Sequence, residues 1–230
     1  LVSIFASLIS IIFLYLLVRK RLGERIGLLT ALFFGLIPYN IYFGRTILPD
    51  SLMVMAILGG IYFFDLAIEK EFQIKQWPYF MLAILFTAAA FLLKPFALFF
   101  TPPMIYLAFR KWRMGMFVRW ELWLFTILTL APLVFWRMWM MQFPEGIAVS
   151  DWLFNAGNIR FTGAFFQWIF ADRLGRLILG YWGIALLVLG LIRKIDRKEG
   201  WFFFSFMASS LLYIFVMARG NVQHDYYQIL

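Results

Sequence analysis

No cysteine occurs in the chain, so neither a disulfide nor a thiolate metal site is available, and the redox character of its compartment is unmarked. Histidine occurs once, which leaves any imidazole metal centre without a second ligand, and no metal site is assigned. Charge is scarce: Asp, Glu, Lys and Arg together make up 14% of the residues, with 12 acids against 21 bases. There is no glycine loop spaced to cradle a phosphate, no HExxH and no GxSxG, so the common nucleotide, metalloprotease and serine-hydrolase signatures are missing. No internal repeat of the transporter kind is visible.

What fills the chain is apolar. Hydrophobic residues reach 64% of 230, aromatics 21%, with 29 Phe and a mean hydropathy of +0.84. A soluble core of this size has no use for so many large apolar side chains, so the composition defines an integral membrane protein. Its apolar runs are long and continuous rather than alternating, which selects a helical bundle over a barrel. The expected fold class is all-α, a polytopic transmembrane bundle. Leu1 already lies inside an apolar run. The expectation is therefore one transmembrane domain over 1–230, incomplete at both termini, in which the absence of a signal peptide carries no meaning.

Apolar runs fall at 1–18, 26–43, 51–68, 77–93, 96–109, 120–136, 177–192 and 201–218, which gives about eight crossings. The doubtful pair is 77–93 and 96–109. Fused into one helix they would extend for about 50 Å, too long for one crossing of a hydrocarbon core of about 30 Å. Pro95 also disfavours helix at Lys94. Charge tests the count independently. Eight crossings place Arg19, Lys20, Arg21, Arg25, Lys70, Lys75, Arg110, Lys111, Arg113, Arg119, Arg193, Lys194, Arg197 and Lys198 on one face. Arg45, Lys94, Arg137, Arg160, Arg173, Arg176 and Arg219 fall on the other. The positive-inside rule makes the first face cytoplasmic. The net charge of +9 is then a matter of topology, and no nucleic-acid partner is needed.

The polar residues worth weighing fall on the outer face. Asp50 stands just before an apolar run, where it can N-cap a helix, and Pro49 suits a turn before it. Arg45 and Asp50 can equally meet a phosphate and a sugar hydroxyl. Lys94 is either a lysine snorkelling from a helix end or a cation placed on an anionic leaving group. His224, Asp225, Tyr226 and Tyr227 read as part of an interfacial aromatic belt or as a hydrogen-bonding cluster for a polar headgroup or acceptor. Between them, the loop over 144–176 is rich in Trp and Phe, and Gly163 to Arg176 is expected to form an interfacial helix with an aromatic face. Gly59-Gly60 reads as helix packing.

Taken together, these motifs resemble a known family. YFGRTILPDSLMVMAILGGIYFF (42–64) is similar to the second and third spans of polytopic glycosyltransferases of the GT-C fold, in the group that holds protein-mannosyltransferase-like and aminoarabinose-transferase-like enzymes. LLKPFAL (92–98) resembles that group's lysine-bearing turn, and HDYYQIL (224–230) its later outer-face element. The resemblance implies transfer of a sugar, with inversion, from a polyprenyl-phosphate donor to a lipid, glycan or protein hydroxyl, as in cell-envelope glycan, lipopolysaccharide or protein glycosylation. It implies an outer active face (periplasmic or extracellular) of a bacterial-type plasma membrane. Arg45, Lys94, His224, Tyr226 and Tyr227 would contact donor phosphate, and Asp50 and Asp225 would orient sugar or acceptor. The general base of such enzymes belongs to an outer loop expected before Leu1. No cofactor is assigned, and a divalent cation is left open. A transporter or flippase of a lipid-linked glycan is the alternative, and it predicts polar residues at mid-membrane depth.

Overall fold

The computed structural model describes residues 1–70, 72–143, 145, 151–193 and 195–229, and among them every regular element is helical. Helix α1 (Val2–Leu22) ends on Arg19, Lys20 and Arg21, and Gly23, at φ 87°, turns the chain back into α2 (Glu24–Leu36). Ile37 is extended, as a residue before proline prefers, and α3 (Pro38–Phe43) resumes after it. Helix α4 (Asp50–Glu69) returns, and α5 (Trp77–Leu93) follows. Lys94 is extended (φ −150°, ψ 120°), Pro95–Phe100 forms a 3₁₀ turn, and α6 (Pro102–Trp112) completes that pass. Helix α7 (Trp120–Met140) precedes two short pieces, α8 (Trp152–Asn155) and α9 (Gly163–Phe166), the latter running on as a π-helix over Gln167–Ile178. A bend of 107°, with Gly180 and Tyr181 at positive φ, leads to α10 (Trp182–Ile192). Then come α11 (Arg197–Val216), α12 (Ala218–Gln223) and a final turn, Asp225–Ile229.

Among the described residues, five stretches are continuous helices long and apolar enough to span a bilayer, and the bent pair Gly163–Ile178 and Trp182–Ile192 makes a sixth if it crosses as one span. The remaining runs of the eight are broken rather than missing. A 3₁₀ helix rises about 2.0 Å per residue against about 1.5 Å in an α-helix, so Pro95–Phe100 and α6 together reach about 28 Å, close to a hydrocarbon core. Their far end is fixed: Lys111 Nζ donates to the carbonyls of Ile68 (2.5 Å) and Glu69 (2.6 Å), at the foot of α4. The chain therefore does reverse at Lys94-Pro95. The run 26–43 is likewise split at Pro38 between α2 and α3.

Helix α4 is the axis, two-thirds buried, with α1 and α5 against it. Lipid tails are as apolar as leucine, so helices associate in a membrane by close packing rather than by the hydrophobic effect. Small residues supply that closeness. A Cβ on Gly59 would lie 2.7 Å from Phe86 Cδ1 and 2.9 Å from Phe13 Cε2, so α1 and α5 are seated at a distance only glycine permits. The segment 163–178 buries Phe165 and Ile169 under α12 while leaving Phe166, Trp168 and Phe170 partly exposed. It is packed on one side and exposed on the other. Of the sequence expectations, Lys194 and positions 144 and 146–150 of the aromatic loop lie outside the described residues.

Candidate functional site

The bundle gathers its polar side chains at two ends. At the basic end, Asp65 of α4 meets Lys20 Nζ (2.9 Å) and Arg21 Nη2 (3.1 Å) of α1. Arg21 reaches on to Glu199 (3.6 Å), which also pairs with Arg110 (2.9 Å). Arg21 is held over the Phe202 ring at 3.5 Å. Four helices are fastened together by this network.

At the opposite end, Lys94 Nζ lies 2.5 Å from Asp50 Oδ1. Asp50 is fully buried, and Lys94 is 15% exposed in its side chain. Two expectations change. Asp50 does not cap α4: it is the first helical residue, and its side chain makes no capping bond. The lysine does not snorkel away but turns inward, because a buried carboxylate without a counter-charge is far costlier than a bent lysine. Asp50 Oδ2 is also buried and has no hydrogen-bond partner among the described residues. One acceptor of this site is therefore unspent.

Aromatic rings complete the surroundings. Lys94 Nζ lies 5.4 Å from the Tyr226 ring centre and 5.2 Å from that of Tyr227, in cation–π range. His224 packs among Tyr226 (5.2 Å, tilted), Tyr227 (5.4 Å, edge-on) and Trp152 (5.7 Å, edge-on). Tyr227 packs directly on α12 because Gly220 carries no side chain: a Cβ there would sit 2.8 Å from Tyr227 Cε2. Burial, then the neighbouring Tyr226 and the Asp50 charge, push the Tyr227 phenol up to about 12, so its hydroxyl stays protonated near neutrality.

The terminal turn that carries these rings is itself tied down. Arg173, buried in the π-helix, meets Asp225 Oδ1 at 2.5 Å and donates from Nη2 to the Val222 carbonyl at 3.0 Å. Tyr39 of α3 donates to the Asp225 carbonyl at 2.5 Å, and Gln228 Nε2 donates to both the carbonyl (2.7 Å) and Oδ1 (3.0 Å) of the buried Asn221. The sequence reading missed Arg173 and Tyr39 as members of this assembly. The only signal was that Arg173 and Asp225 are opposite charges assigned to one face.

Of the seven residues singled out in the sequence, six meet here: Asp50, Lys94, His224, Asp225, Tyr226 and Tyr227. Arg45 does not. It is exposed, forms no ion pair among the described residues, and lines a separate cavity between α1, α2, α3 and α4.

A bundle of membrane-length helices, with an ion-pair network at one end and a cation–carboxylate pair beside aromatic rings at the other, defines a polytopic membrane protein. Residues 1–139 match the family described as dolichyl-phosphate-mannose-protein mannosyltransferase, and the chain belongs to that family. No curated protein and no solved structure matches it. The chain is thus a membrane glycosyltransferase of the mannosyltransferase type, and family membership favours the enzyme over the transporter.

Proposed function

We propose that the chain moves a sugar from a polyprenyl-phosphate carrier to a hydroxyl of a lipid, glycan or protein, on the face opposite the basic clusters. The observation that carries this reading is the Asp50–Lys94 pair: a largely buried cation whose partner keeps a free acceptor, set beside two tyrosine rings at the end of the bundle. In the reaction the bond from sugar C1 to phosphate oxygen breaks and the phosphate leaves with the electron pair. The acceptor oxygen bonds to C1 from the opposite side, inverting it, and its proton passes to a base. Lys94 stabilises the charge that grows on the leaving phosphate, an interaction worth most when it strengthens in the transition state. Asp50 Oδ2 accepts a hydroxyl of the sugar while Oδ1 holds Lys94 in place. His224, Tyr226 and Tyr227 close over the phosphosugar, Asp225 orients the turn or the acceptor, and Arg45 receives the carrier phosphate from the lipid side. Asp50 is not assigned as the base, since one of its oxygens is committed to Lys94.

The same end faces the exterior in this reading, because the positive-inside rule assigns the Lys20, Arg21, Arg110 and Lys111 end to the cytoplasm of a plasma membrane. The test is sugar transfer from a polyprenyl-phosphate donor in membranes holding the full protein. Lys94→Ala is expected to lower the rate by about 10²–10³, the usual loss for a group aimed at developing charge. A wild-type rate in Lys94→Ala removes the assignment.

A further inference from the structure

The basic end of the bundle holds a space for which the sugar transfer proposed above has no use. Helices α1 and α2 form one wall of a groove there, and α10 with the start of α11 forms the other. Its volume is about 970 Å³, at the top of the range of ordinary ligand pockets, about 300–1,000 Å³. Leu17, Leu29, Phe33, Leu187 and Phe203 are typical of the lining. The one polar side chain on it among the described residues, Thr30, is spent on the Ile26 carbonyl at 2.8 Å. Gly190 of α10 also lies on the lining, and a Cβ there would meet nothing within 4 Å, so the facing wall leaves it uncovered.

Length and charge narrow the occupant. The lining runs from Ile26 to Leu36 on α2 and from Leu14 to Leu22 on α1, about 15 Å and about 12 Å at about 1.5 Å per residue. A hydrocarbon core is about 30 Å thick, so the groove serves one leaflet and is too short to seat a helix that crosses the membrane. At its mouth each wall ends in an arginine. Arg25 stands in the first turn of α2 beside the lining Ile26, and Arg193 follows α10 just past the lining Leu191. Both are exposed and form no ion pair among the described residues. The neighbouring acids serve helix N-termini: Glu24 lies in the first turn of α2, and Asp196 accepts from the Lys198 amide at 2.9 Å. Two arginines above an apolar, leaflet-deep groove suit a molecule with acyl chains and an anionic head.

We propose that this groove binds one anionic glycerophospholipid of the leaflet at the basic end, its acyl chains between α2 and α10 and its phosphate on Arg25 and Arg193. The lipid fills the gap beside Gly190 that no side chain fills, and so braces α10 against α1 and α2. The site lies at the opposite end from Asp50 and Lys94, and it stands whatever sugar donor the protein uses.

The experiment is native mass spectrometry of the full protein, purified in mild detergent after exposure to vesicles of equal phosphatidylglycerol and phosphatidylcholine. One phosphatidylglycerol should stay on each chain in preference to phosphatidylcholine. The double variant Arg25→Gln/Arg193→Gln is expected to weaken that retention by about tenfold. Gly190→Trp builds into the open space and should abolish retention with both arginines intact. Ile127→Trp, on the lipid-facing side of α7 where Ile127 is 60% exposed, should change nothing. Unchanged retention in the double variant or in Gly190→Trp overturns the proposal, as does equal retention of phosphatidylcholine. Equal loss in Ile127→Trp overturns it too, by showing that the lipid is merely part of the annulus. A dimer that Gly190→Trp dissociates, with no lipid retained, assigns the groove to a second copy. Displacement of phosphatidylglycerol by farnesyl phosphate assigns it to a prenyl chain, and either result overturns the proposal.

Discussion

The two ends of this bundle solve the same electrostatic problem differently. Each buries a carboxylate of α4, Asp65 at one end and Asp50 at the other. Asp65 meets two cations, one of which reaches on to Glu199 and, through it, to a third, so the charges are knitted across α1, α4, α6 and α11. Asp50 meets one cation and keeps an oxygen without a partner among the described residues. Breaking a buried pair costs about 3–5 kcal/mol because it strands a charge, so both pairs hold structure together. Both ends keep buried polar atoms without a hydrogen-bond partner among the described residues, Asp65 Oδ2, Arg21 Nε and Glu199 Oε2 at one and Asp50 Oδ2 at the other. What differs is the number of counter-charges, two for Asp65 and one for Asp50, and in the reading proposed above a substrate hydroxyl completes the smaller set.

The comparison is broken most decisively by kinetics. Lys94→Ala should reduce transfer by about 10²–10³, while Lys20→Ala, a partly exposed member of the Asp65 network, should leave the rate within about twofold, as exposed ion pairs contribute little. Equal losses would show that both ends act only through folding. Next in size is stability: Asp65→Asn should cost about 3–5 kcal/mol in thermal or denaturant unfolding while the folded fraction keeps its KM, because its partners never meet substrate. Arg173→Ala is expected to do less to stability and more to KM, by about tenfold, since it frees the turn bearing His224, Tyr226 and Tyr227. Arg173→Lys should restore part of that, and a KM unchanged in Arg173→Ala would mean that the turn is held by Tyr39 and Gln228 alone. The smallest effect is alkaline. Tyr227 is favoured in its protonated form when folded, up to about pH 12 against about 10 for an ordinary tyrosine. Its contribution is therefore complete below about pH 10 and lost as pH rises toward 12. Tyr227→Phe should flatten stability over that window, and an unchanged slope would move the titration to another group.

Local rules made much of this readable in advance. Pro95 marked the reversal at Lys94, because proline acts on its immediate neighbours, whereas the break that Pro38 makes between α2 and α3 went unread in the run 26–43. The basic clusters near Lys20, Lys111 and Lys198 sorted to one face because hydropathy counts crossings, and their common end is visible in the contacts of Lys111 and Tyr106. What sequence did not reveal was pairing across distance. Asp50 and Lys94 are 44 positions apart, and nothing periodic says that one α4 residue turns to Lys94 while the next lines the Arg45 cavity. The same holds for Arg173 and Asp225. The π-helical stretch that aims Arg173 at the turn departs from the 3.6-residue period on which any helical-face argument depends.

The segment from Lys94 to Lys111 behaves as a ruler. Its upper mark is the cation of the polar end, its lower mark is nailed to the carbonyls of Ile68 and Glu69, and the drawn-out 3₁₀ turn brings its length to about 28 Å. A bilayer thicker or thinner than that length is met by tilting the α4–α6 unit or by deforming the lipid around it. Tilting carries Lys94 with it relative to the headgroup plane, so in the proposed reaction the depth of the charge that meets the leaving phosphate follows the thickness of the membrane.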